Sequence, residues 1–295
     1  METLRFYIAI PIYWLFSLLP FQALYFLSDG LFHLVKLVGY RKRVIKDNLR
    51  YSFPEKSNAE LEEIRNNFYR HFSDILLETL KLRYISRRLM QKRVSFENTE
   101  YLEKMYNEGR DVIAVMAHFG NWEYVPAINM YISAQGCDVY RPLKNKNYDR
   151  LMLKLRSRFG NHNIPMKETL REILSMKQQS IRYVMGLIAD QSPARSEKMV
   201  HLPFLNQNTP VLMGPEKIAR RTNDVVVFFE LSRPQRGHYH IKVVPLFEDA
   251  RNTTNFEITK TYLAHMEKMI RQTPHLWLWS HKRWKYANPR TLATT

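Results

Sequence analysis

Of the 295 residues only one is a cysteine, Cys137. An intrachain disulfide is therefore excluded, and a thiolate metal cluster has no ligands to draw on. The Cys-Asp-Val-Tyr context offers the thiol no activating base, so Cys137 reads as buried filler. No Gly-x-Ser-x-Gly elbow is present, which removes the usual signature of a serine acyl-enzyme. Zinc-finger spacing, an RRM-like aromatic signature and a basic recognition helix are all missing, and this weighs against nucleic-acid binding. Internal repeats and long low-complexity tracts are absent. Acidic residues are in deficit: 28 Asp and Glu stand against 45 Lys and Arg, a formal charge of +17. A field of that sign favours nucleic acid, anionic lipid or an acidic carrier protein, without choosing among them.

Apolar residues make up 45% of the chain, enough for one large domain or two small ones with a substantial core. The first forty residues stand apart. From Phe6 to Val35 the only formally charged residue is Asp29, and the basic run Arg41-Lys42-Arg43 follows, with Lys46 and Arg50 beyond it. The stretch is too long for a cleavable signal peptide and no small-residue cleavage site follows it. Pro11, Pro20 and Asp29 interrupt it, so it reads as two short apolar helices turning near Leu19-Pro20. The expectation is a membrane-associated helical anchor over 1–40, its basic flank facing anionic headgroups on the cytoplasmic side. An α/β domain is expected over 41–290 and a polar tail over 291–295.

Beyond the anchor, Ser57-Asn-Ala-Glu60 has the form of a capping box ahead of a long amphipathic helix. In that helix Leu61, Ile64, Phe68, Phe72, Ile75 and Leu76 recur at core spacing. Apolar runs after Asp111, Gly136, Tyr183, Asp224 and His238 read as strands. The segments from Glu168 and from Glu257 to Gln272 read as helices, and 206–210 as a loop. Strands separated by helices predict an α/β fold with a mixed central sheet.

Chemistry gathers at the end of the first apolar strand, in Val112-Ile-Ala-Val-Met116, Ala117, His118-Phe-Gly-Asn-Trp-Glu123. A histidine at such a strand end can act as a general base. On one continuous helix a spacing of five turns the second side chain by about 140°, which is wrong for a shared face. The Phe-Gly-Asn turn offers a way out: His118 sits on the loop, and Glu123 enters the next helix and reaches back to orient the ring. With no acyl-enzyme elbow, the chemistry is direct transfer between two substrates. A carbonyl acquiring negative charge in such a transfer needs cations or donors nearby. Arg141, after the second strand, is the first choice for phosphate or oxyanion contact, with Arg156 and Arg158 behind it. Those two lie two apart, so at most one of them faces the site. Asp190 and Gln191 end a third strand. The closing segment with Trp279, His281, Arg283, Trp284 and Lys285 suits either a headgroup surface or a packed C-terminal strap.

Several blocks in order carry a resemblance. His118-Phe-Gly-Asn-Trp-Glu123, Tyr140-Arg141-Pro-Leu-Lys-Asn-Lys146, Arg156 with Arg158, Ala189-Asp190-Gln191, Phe204 through Pro210, Ala219-Arg220 and Pro274 through Lys285 resemble the late acyltransferases of lipid A biosynthesis, the lauroyl/myristoyl transferase family. The resemblance spans roughly the first 285 residues. It implies a glycerolipid-acyltransferase-like fold and a bacterial inner-membrane enzyme active on the cytoplasmic face. The implied donor is a fatty acyl thioester, acyl-acyl carrier protein or acyl-CoA, and the acceptor a hydroxyl of a lipid A precursor. In the same reading His118 is the general base, Glu123 its partner, and no metal or cofactor is needed. Glu123 stands where relatives vary between Asp and Glu. Ser-Pro-Ala-Arg follows Gln191 without the acidic residue some relatives carry. The acceptor therefore stays open to a lysophospholipid, an amino-acid lipid or another glycolipid.

Overall fold

The computed structural model describes residues 10, 11, 13–194 and 199–286. The polar tail expected over 291–295 lies outside the described residues. A seven-stranded mixed sheet forms the centre, in the order β1-β9-β8-β2-β5-β3-β4. Its strands are β1 (Val94–Glu97), β2 (Val112–Met116), β3 (Gln135–Tyr140), β4 (His162–Pro165), β5 (Tyr183–Ile188), β8 (Val225–Gln235) and β9 (His238–Phe247). All neighbours run parallel except β8 and β9. β2 is buried along its whole length, which is why it reads as a continuous apolar run and not as an alternation. At the N-terminal ends of the central strands Lys177 joins Asp111 and Asp224 at 2.6 and 2.7 Å. The C-terminal ends are left for the site.

Several elements escape the sequence reading. β1 and β4 are four-residue strands, too short to show a period. Residues 206–210, expected as a loop, belong mostly to β7 (Gln207–Val211), which pairs antiparallel with β6 (Val200–Phe204). Leu205 and Asn206 both take positive φ between them, a two-residue hairpin turn without the glycine that usually announces one.

The helices are α1 (Phe21–Val38), α2 (Lys42–Ser52), α3 (Asn58–Lys81), α4 (Arg87–Arg93), α5 (Thr99–Asn107), α6 (Lys146–Arg156), α7 (Thr169–Gln178), α8 (Gly214–Thr222) and α9 (Glu257–Gln272). Ser57 and Glu60 close the expected capping box on α3.

Among the described residues no helix is long and apolar enough to cross a membrane. This corrects the expected N-terminal membrane anchor and the inner-membrane, cytoplasmic-face placement that the resemblance implied. The physical reason is that α1 turns one face to the protein. It starts only after the break at Leu19-Pro20 and packs along α3, burying Phe21, Leu24, Ser28 and Phe32. Its polar residues are engaged as well: Ser28 donates to Asp74 at 2.7 Å, and Asp29 pairs with Arg236 at 2.7 Å. Asp29, which interrupts the apolar run, is thus a partly exposed ion-pair partner of Arg236.

Candidate active site

The site grows from the ends of two neighbouring parallel strands. β2 and β5 are in register with Met116 opposite Ile188, and the Ala189 amide donates to the Met116 carbonyl at 3.0 Å. Two residues further on, the same offset sets His118 against Asp190. The Asp190 carboxylate takes the His118 ring Nδ1 on Oδ1 at 2.7 Å and the His118 backbone N–H on Oδ2 at 3.0 Å. Ring and backbone of one residue are thereby fixed by one carboxylate. A third donor, Trp277 Nε1, reaches Asp190 Oδ2 at 2.7 Å. Burial of Asp190 works to raise its pKa. The adjacent imidazole and these three N–H donors outweigh that, and the net direction is downward. An anionic Asp190 holds the ring proton on Nδ1, which leaves the Nε2 lone pair as the basic position. His118 keeps 19% of its side chain exposed, so Nε2 can be approached.

Gln191 Nε2 stands 3.4 Å from both ring nitrogens of His118. Equal distances place the amide over the ring face, not in the ring plane where a strong hydrogen bond would lie.

Glu123 opens a 3-10 helix, Trp122–Met130, and its carboxylate is directed to Arg156. Arg156 Nε meets Oε2 at 2.8 Å and Nη2 meets Oε1 at 2.6 Å, a two-point pair. Among the described residues no hydrogen bond joins Glu123 to His118; the carboxylate on the ring is Asp190. Trp122 links the two pairs. Its ring lies edge-on to His118 at 5.1 Å and its Nε1 donates to Glu123 Oε1 at 3.2 Å. Close to Arg156, the half-buried Asp138 accepts from Asn161 Nδ2 at 3.0 Å. Its pKa is raised to about 7, chiefly by burial, with Arg156 working the other way.

The other expected residues divide. Arg158 gives both Nε and Nη2 to the Ile85 carbonyl at 3.0 and 2.8 Å, a structural tie away from the ring. Arg141 lies exposed one residue past β3, at the site end of the sheet. The closing segment is a packed strap. Its Leu276 carbonyl accepts from the Gly120 amide and its Leu278 amide donates to the His118 carbonyl, at 3.0 and 3.1 Å. Trp279 and Arg283 are fully buried, and Trp284 Nε1 donates to Thr209 at 2.8 Å. Lys285 is exposed. Ser192 N–H points at His281 Nε2 at 3.4 Å, and burial lowers the His281 pKa to about 4.

Two contributors were missed in the sequence. Trp277 was read only as part of the closing block, and it donates directly to Asp190. Asn121 donates inward to Glu78 at 2.7 Å. The strand ends at Met116 and Ile188 carried a signal for the His118–Asp190 pair once their adjacency is known.

The chain is similar along most of its length to acyltransferases of lipid A biosynthesis. A lauroyltransferase of lipid A biosynthesis from Escherichia coli (strain K12) is 25% identical over 282 residues, covering 95% of this chain and 90% of that protein. A palmitoleoyltransferase of lipid A biosynthesis from the same organism is 22% identical over 274 residues, covering 92% and 88%. A lipid A biosynthesis acyltransferase from Haemophilus influenzae is 22% identical over 242 residues, covering 79% and 72%. The family profile described as bacterial lipid A biosynthesis acyltransferase matches residues 1–286. With its matched length nearly complete, the chain belongs to the bacterial lipid A biosynthesis acyltransferase family, whose chemistry is acyl transfer.

Proposed function

We propose that this protein transfers a fatty acyl chain from an acyl thioester, acyl-acyl carrier protein, to a hydroxyl of a lipid A precursor, with His118 as general base. One observation carries the reading: Asp190 holds the Nδ1 side of His118 at 2.7 Å while the other ring nitrogen is left on the partly exposed side. Nε2 takes the proton of the acceptor hydroxyl as its oxygen attacks the thioester carbonyl. The tetrahedral oxyanion then collapses, the C–S bond breaks, and the proton held on Nε2 passes to the leaving thiolate. Asp190 stays ionised and stabilises the imidazolium between the two transfers.

Glu123 enters this mechanism through Arg156. Their two-point pair keeps the guanidinium charged and oriented, and burial alone would lower the Arg156 pKa before Glu123 raises it. Arg156 and the exposed Arg141 are the cations assigned to the oxyanion and to acceptor phosphate.

Mass spectrometry of total lipids from cells with and without the active gene product tests the reading. A mass loss of one secondary acyl chain from lipid A is the expected result. Loss confined to another lipid class would move the same chemistry to another acceptor.

A further inference from the structure

The loop that carries His118 is held from below by a stripe on α3. His71, Asp74 and Glu78 recur at i, i+3 and i+7, so they share one helix face, and all three are buried. Asp74 serves the scaffold, pairing with Arg236 at 2.7 Å. His71 and Glu78 reach the loop. His71 Nδ1 accepts from Arg233 at 2.7 Å, which puts its proton on Nε2, 3.3 Å from the Gly120 carbonyl. Glu78 Oε2 accepts from Asn121 Nδ2 at 2.7 Å and from the Tyr239 hydroxyl at 2.8 Å; Oε1 accepts from the Tyr25 hydroxyl at 2.9 Å.

Glu78 is an unusual choice for packing. Among the described residues it has no ion pair, and a buried carboxylate without a cation is costly. Its three partners are neutral donors from three elements: α1, β9 and the loop. A leucine there would fill the space without that cost, but would leave Asn121 with no acceptor. Gly120 needs that support too: it sits at φ +55, with a Cβ position only 3.4 Å from the Tyr239 ring.

We propose that Glu78 is a positioning residue for acyl transfer: through Asn121 it seats the loop from His118 to Asn121, and through Tyr25 it ties that seat to α1. This rests on the assignment of His118 as the base. The base must approach the acceptor hydroxyl within hydrogen-bond reach, so a small displacement of the loop lowers turnover more than binding.

The test uses Glu78→Gln, Asn121→Asp and the double variant, with lauroyl-acyl carrier protein and a lipid A precursor bearing free acyl-chain hydroxyls. Each single change is expected to lower kcat about 10- to 100-fold with KM within about twofold of wild type. The double variant exchanges donor and acceptor between the two positions and is expected to recover at least about tenfold over the poorer single variant. Wild-type kcat in Glu78→Gln, or a double variant no better than the poorer single one, overturns the proposal. Asn121→Ala covers the case in which Glu78→Gln does not fold, since it removes only the loop end of the bond. Hydrogen exchange at the His118 and Gly120 amides gives a substrate-free readout, expected to quicken in Asn121→Ala and in Glu78→Gln; unchanged exchange in both overturns the seat. His118→Ala in the same assay separates the two readings. Retained turnover there rejects the base assignment itself. Abolished turnover there, with an active Glu78→Gln, rejects only the positioning role.

Discussion

His118 and His71 stand on opposite sides of one short loop and have opposite surroundings. His118 has a carboxylate on Nδ1 and an approachable edge. His71 has a guanidinium on Nδ1 and is fully enclosed. Burial first and then the neighbouring Arg233 charge push the His71 pKa well below its ordinary value. The second ring is a neutral strut under the loop that carries the first. Residue type and contact with the motif do not separate them. The sign of the partner and access to solvent do.

The largest expected effects test that separation. His118→Ala should reduce turnover about 10²- to 10⁴-fold, the usual contribution of a general base. Its melting temperature should fall by only about 2 to 4 °C, since the main loss is one of three donors to Asp190, worth about 1 kcal/mol. His71→Ala should leave a cavity and strip Arg233 of its shorter contact, leaving only Asp74 at 3.4 Å, costing about 3 kcal/mol. At this chain length that corresponds to a melting temperature lower by roughly 5 to 10 °C. Equal melting shifts in the two variants would break the comparison.

A second test uses acid. His275 and His281 are partly buried with pKa values lowered to about 4, burial being the main cause in both, and the enclosed His71 is likewise pushed well below its ordinary value. An unfolded histidine titrates near 6.5, so below that pH the unfolded chain binds more protons and stability falls. The loss begins as pH drops through about 6.5 and continues to about 4 for His275 and His281, at up to about 1.4 kcal/mol per pH unit for each. Thermal melts from pH 7.5 to 4.5 should show this decline, and His275→Gln with His281→Gln should flatten it. A smaller effect is expected at Trp277. Trp277→Phe removes one of three donors from Asp190, worth about 1 kcal/mol, and should lower kcat about fivefold. An unchanged kcat would mean that the other two bonds suffice.

Much of the sheet was legible because its central strands are buried on both faces and read as apolar runs. The position of His118 at a strand end followed from Val112 to Met116 alone. Its carboxylate did not. Glu123 is near in sequence, but strand order decides which side chains meet, and nothing local says that β5 lies beside β2. Once it does, residues 118 and 190 fall opposite one another. The face of α3 was misread for a related reason. Leu76, expected in the core, is 42% exposed, while Asp74 and Glu78 are buried. Apolar periodicity cannot register polar residues whose partners, Arg236, Tyr239 and Tyr25, arrive from other elements. The N-terminal segment misled through composition: its apolar side chains were ascribed to lipid, and three of those in α1, Phe21, Leu24 and Phe32, are buried in the fold.

The central claim is that Asp190 holds His118 with its proton on Nδ1 and Nε2 free to act as base. Nitrogen NMR of ¹⁵N-histidine-labelled protein at neutral pH, with the His118 signals assigned by their loss in His118→Ala, tests it directly. The account predicts a neutral His118 ring protonated on Nδ1, a preference lost in Asp190→Asn and retained in Glu123→Gln. A ring protonated on Nε2, or a tautomer that changes with Glu123 and not with Asp190, would contradict it.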